Sequence, residues 1–228
     1  MKSSGVYKSL ALDKLRGNWG DFICATLIYL AITGLFSFSS NMINIDGIGT
    51  DNGIGFLIIG VIAIILLSLL VTVFQGVLQV GIYKIGFDYA EDNRTSINRL
   101  WSGFMCFGKI AVFYLVYNLL TVLLSLLLII PGIIFYYTYC MVPLILADNP
   151  EMDLMDAVNL SARMMKGNKM NYFFLGMSFI GWILLSSCCS CGIGMIFIIP
   201  YQTVAQVLFY KDILSEIEND RLYDKPYF

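Results

Sequence analysis

Two pairs of glutamines stand in otherwise apolar sequence. Gln75 and Gln79 are four residues apart, as are Gln202 and Gln206, so each pair shares one face of a helix. An amide in hydrocarbon needs a hydrogen-bonding partner, which turns these faces toward other helices. Two readings are open. One is interhelical glue, at roughly 0.6–2 kcal/mol per contact; the other is a polar patch for a lipid headgroup or small ligand. Asn118 and Tyr139 are candidate additions to that patch. Pro143 and Pro200 interrupt apolar runs and free the carbonyls of Tyr139 and Ile196. Such kinks line a cavity, act as hinges or simply shape a bundle.

The remaining chemistry is sparse. The chain has no His, which removes the commonest metal ligand, general base and pH switch together. Cys188-Cys189-Ser190-Cys191 could hold a disulfide between Cys188 and Cys191. Packing of small residues at a crowded helix end is the plainer reading, and a zinc site lacks well-spaced ligands and a fourth donor. Asp148, Glu151, Asp153 and Asp156 could hold a cation, but a capped helix start accounts for them. The sequence has no nucleophile–base pair, phosphate loop or metalloprotease motif. It therefore reads as a non-enzyme with no cofactor and no metal.

The elements that must position these residues are membrane spans. Of the 228 residues, 58% are hydrophobic and 13% charged, and the mean hydropathy is +0.77. Soluble domains are nearer a quarter charged. Positive charge continues to Arg16, the first apolar run begins near Phe22, and no small-residue cleavage site follows. That run is expected to be a retained anchor rather than a signal peptide. There is no basic footprint for nucleic acid.

The 14 Lys and Arg residues are segregated. None occurs from Gly17 to Tyr83, from Ile110 to Ala162, or from Met170 to Tyr210. Each gap is long enough to cross a bilayer out and back, at about 20 residues per crossing. Basic residues stay in cytoplasmic loops, so both termini are expected inside. The backbone in lipid must bond to itself, which makes the spans helices. They are expected at about 21–38, 55–83, 107–130, 132–147, 171–189 and 193–211, with a turn at Pro131-Gly132. The interiors of these spans hold no Asp, Glu, Lys or Arg, and Asp21 sits at the cytoplasmic end of the first. This argues against an ion-coupled transporter with buried carboxylates.

The expected fold is an all-α, polytopic membrane bundle of six transmembrane helices arranged as three hairpins. Amphipathic interfacial helices lie on its cytoplasmic face. One integral membrane domain covers 1–228, with hairpin pseudo-repeats at 1–87, 88–149 and 150–228. Residues 5–18 predict a short basic helix and 150–166 a second, with Asn149 as N-cap and Pro150 in first position. Leu154, Ala157, Val158, Ser161, Ala162 and Met165 form its weakly apolar face. The outer loop 39–54 holds Asp46 and Asp51. Val207, Tyr210, Leu214, Ile217 and Arg221 continue the last span at 3-4 spacing, as an extension of one helix.

An internal repeat supports the hairpins. Phe74-Gln75-Gly76-Val77-Leu78-Gln79-Val80-Gly81-Ile82-Tyr83-Lys84 matches Tyr201-Gln202-Thr203-Val204-Ala205-Gln206-Val207-Leu208-Phe209-Tyr210-Lys211 at six of eleven positions. Arg16-Gly17-Asn18 likewise echoes Lys166-Gly167-Asn168. The first and third hairpins therefore read as copies in one orientation.

Nearly the whole chain carries an ordered series of short segments. It comprises Leu15-Arg16-Gly17-Asn18-Trp19, Pro131-Gly132-Ile133, Ala147-Asp148-Asn149-Pro150, Ser161, Met165, Gly167 and Lys169, Ser178-Phe179-Ile180-Gly181-Trp182, and Pro200-Tyr201. Together these resemble the uncharacterised Gram-positive bacterial membrane proteins of the family called domain of unknown function 975. The resemblance implies a bacterial plasma membrane and a six-helix fold, and lends no catalytic residue. The leading expectation is a non-enzymatic protein that binds membrane lipid or a hydrophobic, membrane-active protein or peptide partner, in envelope maintenance or protection. The alternative is a facilitator or transporter subunit for a small uncharged or amphiphilic solute.

Overall fold

In the computed structural model, residues 3–17, 19–42, 53–93, 96–189 and 193–223 are described. Nine α-helices and one 3-10 segment make up the fold among these residues. They are α1 (Ser4–Leu15), α2 (Trp19–Met42), α3 (Gly53–Ala90), α4 (Phe107–Leu127), α5 (Ile129–Tyr139), α6 (Val142–Asp148), α7 (Leu154–Met164), α8 (Lys169–Cys189) and α9 (Met195–Tyr223). The 3-10 segment is Ile97–Cys106. The expected outer-loop acids Asp46 and Asp51 lie outside the described residues.

Four of these stretches are long and apolar enough to cross a membrane: Leu66–Ala90, Ile97–Leu127, Ile129–Asp148 and Lys169–Cys188. The described apolar part of α2, Trp19–Gly34, is shorter. The last helix, α9, carries two glutamines and Lys211-Asp212 in its apolar stretch and is not among the four.

Helices α2, α3, α4, α5, α8 and α9 touch in chain order, and α9 closes back on α2. The middle helix of the packing is α3, which also contacts α1, the 3-10 segment, α6 and α9. Two glycines allow the closest approach. A Cβ at Gly81 would strike the Leu100 carbonyl, and one at Gly103 would strike that of Val77. The two backbones therefore lie against each other, a contact that any side chain there would prevent.

Several expected boundaries move. The turn between the third and fourth spans falls at Leu128, whose backbone is extended (φ −158°, ψ 126°), and not at Pro131-Gly132. Pro131 instead sits in the first turn of α5, where its missing N–H costs no hydrogen bond. The fourth span is two helices, broken at Cys140-Met141. Pro143 opens α6 near its first position and is not a kink inside one helix. The helix expected at 150–166 starts at Leu154. Asp153 is its N-cap and accepts from the Met155 amide at 3.1 Å. Asn149, the expected cap, instead ends α6. An Asp with extended backbone immediately before the helix, whose carboxylate takes a first-turn amide, wins over a proline four residues earlier. Pro200 does lie inside α9, as expected, and α9 runs on as one helix to Tyr223.

Charged groups tie one end together. Lys14 pairs with Asp92, Lys211 with Glu91 at 2.5 Å and Arg99 with Asp88 at 3.4 Å. The Lys109 ammonium donates to the carbonyls of Pro150, Glu151 and Met152 at 3.0–3.2 Å. Tyr7 of α1 donates to Asp212 at 2.5 Å, and Tyr210 of α9 to Asp148 at 3.1 Å. Gly17 (φ 89°) and Gly167 (φ 84°) both take the left-handed conformation where the chain turns into α2 and α8, a position glycine fills at little cost.

Candidate functional site

Between these helices lies a cavity of about 330 Å³. Seven of the sixteen described residues that line it are tyrosines, and none of the sixteen is charged. Tyr29 comes from α2, Gln79 and Tyr83 from α3, and Tyr114 and Tyr117 from α4. Tyr136 and Tyr139 come from α5, Tyr172 from α8, and Gln202, Thr203 and Gln206 from α9. Cys140 and Pro143 flank the break between α5 and α6, so the interruption borders the chamber.

The α3 wall is internally bonded. Tyr114 donates its hydroxyl to Gln79 Oε1 at 2.9 Å, and Gln79 Nε2 donates to the Tyr83 hydroxyl at 3.1 Å. Gly76, one turn before Gln79, makes this possible. A Cβ there would run into the Tyr114 ring, so glycine lets the ring lie on α3 with its hydroxyl within reach of the amide. The α9 wall differs: the Gln202 and Gln206 side chains have no hydrogen bond among the described residues. Each half-buried amide offers two donors and an acceptor, and both border the cavity.

Three consecutive carbonyls at the end of α5 take side-chain donors. Tyr117 donates to Tyr136 O at 3.1 Å, Cys140 to Tyr137 O at 3.3 Å, and Ser161 to Thr138 O at 2.9 Å. Pro143 has no N–H to offer the next carbonyl, that of Tyr139. The fully buried Ser161 thereby fastens α7 to the helix break.

A second cavity of about 260 Å³ lies beside the first and is almost wholly apolar. It runs between α4, α5 and α7. Phe113, Tyr117 and Tyr139 line both cavities. Joined by Phe135, these rings form a row: Phe113 and Tyr117 stack with centroids 5.1 Å apart, Tyr117 and Phe135 stack at 5.9 Å, and Phe135 and Tyr139 meet tilted at 4.8 Å.

Of the residues singled out in the sequence, the chamber brings together Gln79, Gln202, Gln206, Tyr139 and Pro143. Gln75, Asn118 and Pro200 are not part of its lining. The Asn118 amide donates to the carbonyl of Tyr114 in its own helix at 2.8 Å. Cys188 is an exposed free thiol at the end of α8; Cys191, its partner in the disulfide alternative, lies outside the described residues. The other tyrosines were missed. Their signal was present as Tyr114/Tyr117 and Tyr136/Tyr139, hydroxyl pairs three residues apart in apolar helices.

The fold and chamber define the class, an all-helical bundle of long apolar helices around an uncharged, tyrosine-lined cavity. Residues 44–216 match the family described as Protein of unknown function (DUF975). The match covers well over half of the chain, and the protein belongs to that family. No curated protein and no solved structure matches it.

Proposed function

We propose that the chain is a non-enzymatic, multi-pass plasma-membrane protein of six spans whose tyrosine- and glutamine-lined chamber binds a lipid-like ligand. The single observation that carries this reading is the pair of amides, Gln202 and Gln206, that have no hydrogen bond among the described residues and face a cavity among apolar helices. Polar groups in such a place lose free energy unless partnered. Gln79 has its partners within the protein; these two have the cavity. A volume of about 330 Å³ falls at the small end of ligand sites.

The hairpin topology is part of the proposal, with both termini on the cytoplasmic side. It is supported by the chain-order contacts of the six helices and by the ion pairs gathered at one end. The two left-handed glycines before α2 and α8 support descent of the outer hairpins from one repeat. The expected interfacial role of α7 finds support in its buried Ala157, Ser161 and Met164.

Native mass spectrometry of protein extracted gently from its own membrane tests the binding reading. A specific lipid should co-purify and be lost from the Gln202→Leu/Gln206→Leu variant. Protein without any retained ligand would overturn it. The broken α5–α6 helix beside the chamber favours a second reading, a facilitator for a small uncharged solute, since interrupted helices border the sites of many transporters. Solute-specific flux into reconstituted vesicles, abolished by the same variant, would select that reading.

A further inference from the structure

The chamber's chemistry narrows the ligand to a class, an inference that rests on the proposed lipid-binding role. Among the described residues, the chamber lining has no Asp, Glu, Lys or Arg. A phosphate or sulfate head would have no Arg or Lys to meet it, and a primary ammonium no carboxylate. Either would be desolvated without compensation. A quaternary ammonium would suit aromatic faces but would leave the Gln202 and Gln206 amides unpaired, which costs binding energy. Those amides and the tyrosine hydroxyls are each donor and acceptor at once. Their complement must also donate and accept at several points without charge, which describes a cluster of hydroxyl groups.

The adjoining groove supplies the other half. It is nearly devoid of polar surface, and it shares the Phe113, Tyr117 and Tyr139 side chains with the chamber. A polar chamber adjoining an apolar groove, the two meeting at Phe113, Tyr117 and Tyr139, matches a molecule with a polar head and a hydrocarbon tail. We infer that the protein holds a neutral amphiphile. Its hydroxyl-rich head lies in the Tyr/Gln chamber, and its hydrocarbon chain lies in the groove between α4, α5 and α7.

The test uses full-length protein in phosphatidylcholine nanodiscs and an octyl glucoside carrying a diazirine at the end of its chain. On photolysis the probe should label groove residues of α4 and α7, such as Val116 and Val158, in a saturable manner. Unlabelled octyl glucoside should compete. Free glucose and octylphosphocholine should compete at least about tenfold more weakly, as loss of the chain or of several neutral hydrogen bonds would dictate. The near-isosteric Gln202→Met/Gln206→Met variant should elute and melt like the parent yet label about tenfold less. Glucose competing as well as octyl glucoside would overturn the groove half and make a free sugar the occupant. Equal competition by octylphosphocholine, or undiminished labelling of a folded double variant, would overturn the hydroxyl-rich head. Equal competition by octylphosphocholine leaves the binding role standing, whereas undiminished labelling also removes the two amides that carry it. Absence of saturable labelling while a native lipid still co-purifies overturns this inference alone; absence of both overturns the binding role with it.

Discussion

Segments 74–84 of α3 and 201–211 of α9 share six of eleven residues and do different work. Gln79 is held by Tyr114 and Tyr83 and stiffens one wall of the chamber. Its counterpart Gln206 has no partner among the described residues and faces the cavity. Gln202 lines the chamber, whereas its counterpart Gln75 does not. Tyr83 bonds within the chamber, while Tyr210 reaches Asp148 at the charged end. The divergence follows from substitutions between them. Gly76 seats the Tyr114 ring, but Thr203 occupies that place in α9 and lines the chamber itself. Gly81 admits the Leu100 backbone, whereas α9 has Leu208 there. A repeated polar pattern thus takes its role from the small residues beside it, because they decide which neighbour comes close enough to bond.

Substitutions that make the two segments alike, or exchange their roles, should show graded effects. The largest is expected for Gly81→Leu, which copies the α9 residue into α3. The side chain would meet backbone, which cannot yield, and the loss should reach about 3 kcal/mol or prevent folding, read by thermal melting in detergent. Gln79→Leu removes the partner of two tyrosine hydroxyls and should cost about 2 kcal/mol; a melting temperature unchanged from the parent would refute the bonded wall. Tyr210→Phe gives up a hydrogen bond to the Asp148 carboxylate and should cost about 1.5 kcal/mol, with little effect on ligand retention. Gln206→Leu should lie within about 0.5 kcal/mol of the parent, since no internal bond is lost, while ligand retention falls about tenfold. Gln75→Leu should be neutral in both assays. A swap in the last two results, with Gln206→Leu destabilising and Gln75→Leu losing ligand, would mean the walls have been assigned the wrong way round.

Parts of the site could be read in advance because their physics is local. Amides four apart in an apolar run must face one way, and Gln79, Gln202 and Gln206 do line one cavity. Gln75 escaped that logic because periodicity gives a face and not the extent of a cavity along it. Asn118 escaped it because a short amide can reach the carbonyl four residues back in its own helix. The seven tyrosines were hidden, all but Tyr139, because a tyrosine in an apolar helix reads equally as packing, and only neighbouring helices decide where its hydroxyl ends. The helix break at Cys140-Met141 was half visible through Pro143. Its position also depends on Ser161, Tyr117 and Cys140 meeting the α5 carbonyls, and two of those donors lie on other helices.

From the sequence alone came the helical class, the apolar stretches, and the segregation of basic residues, since each depends on composition and spacing along a single chain. Membership of the family was legible for the same reason, through the order of short segments. Tertiary structure decided which glutamines are satisfied and which face the cavity, where the fourth span breaks, and that a polar chamber and an apolar groove share one aromatic wall. Each of those depends on distances between helices. Those distances are set by a few glycines and by the side chains they admit, so no periodicity within one helix could reveal them.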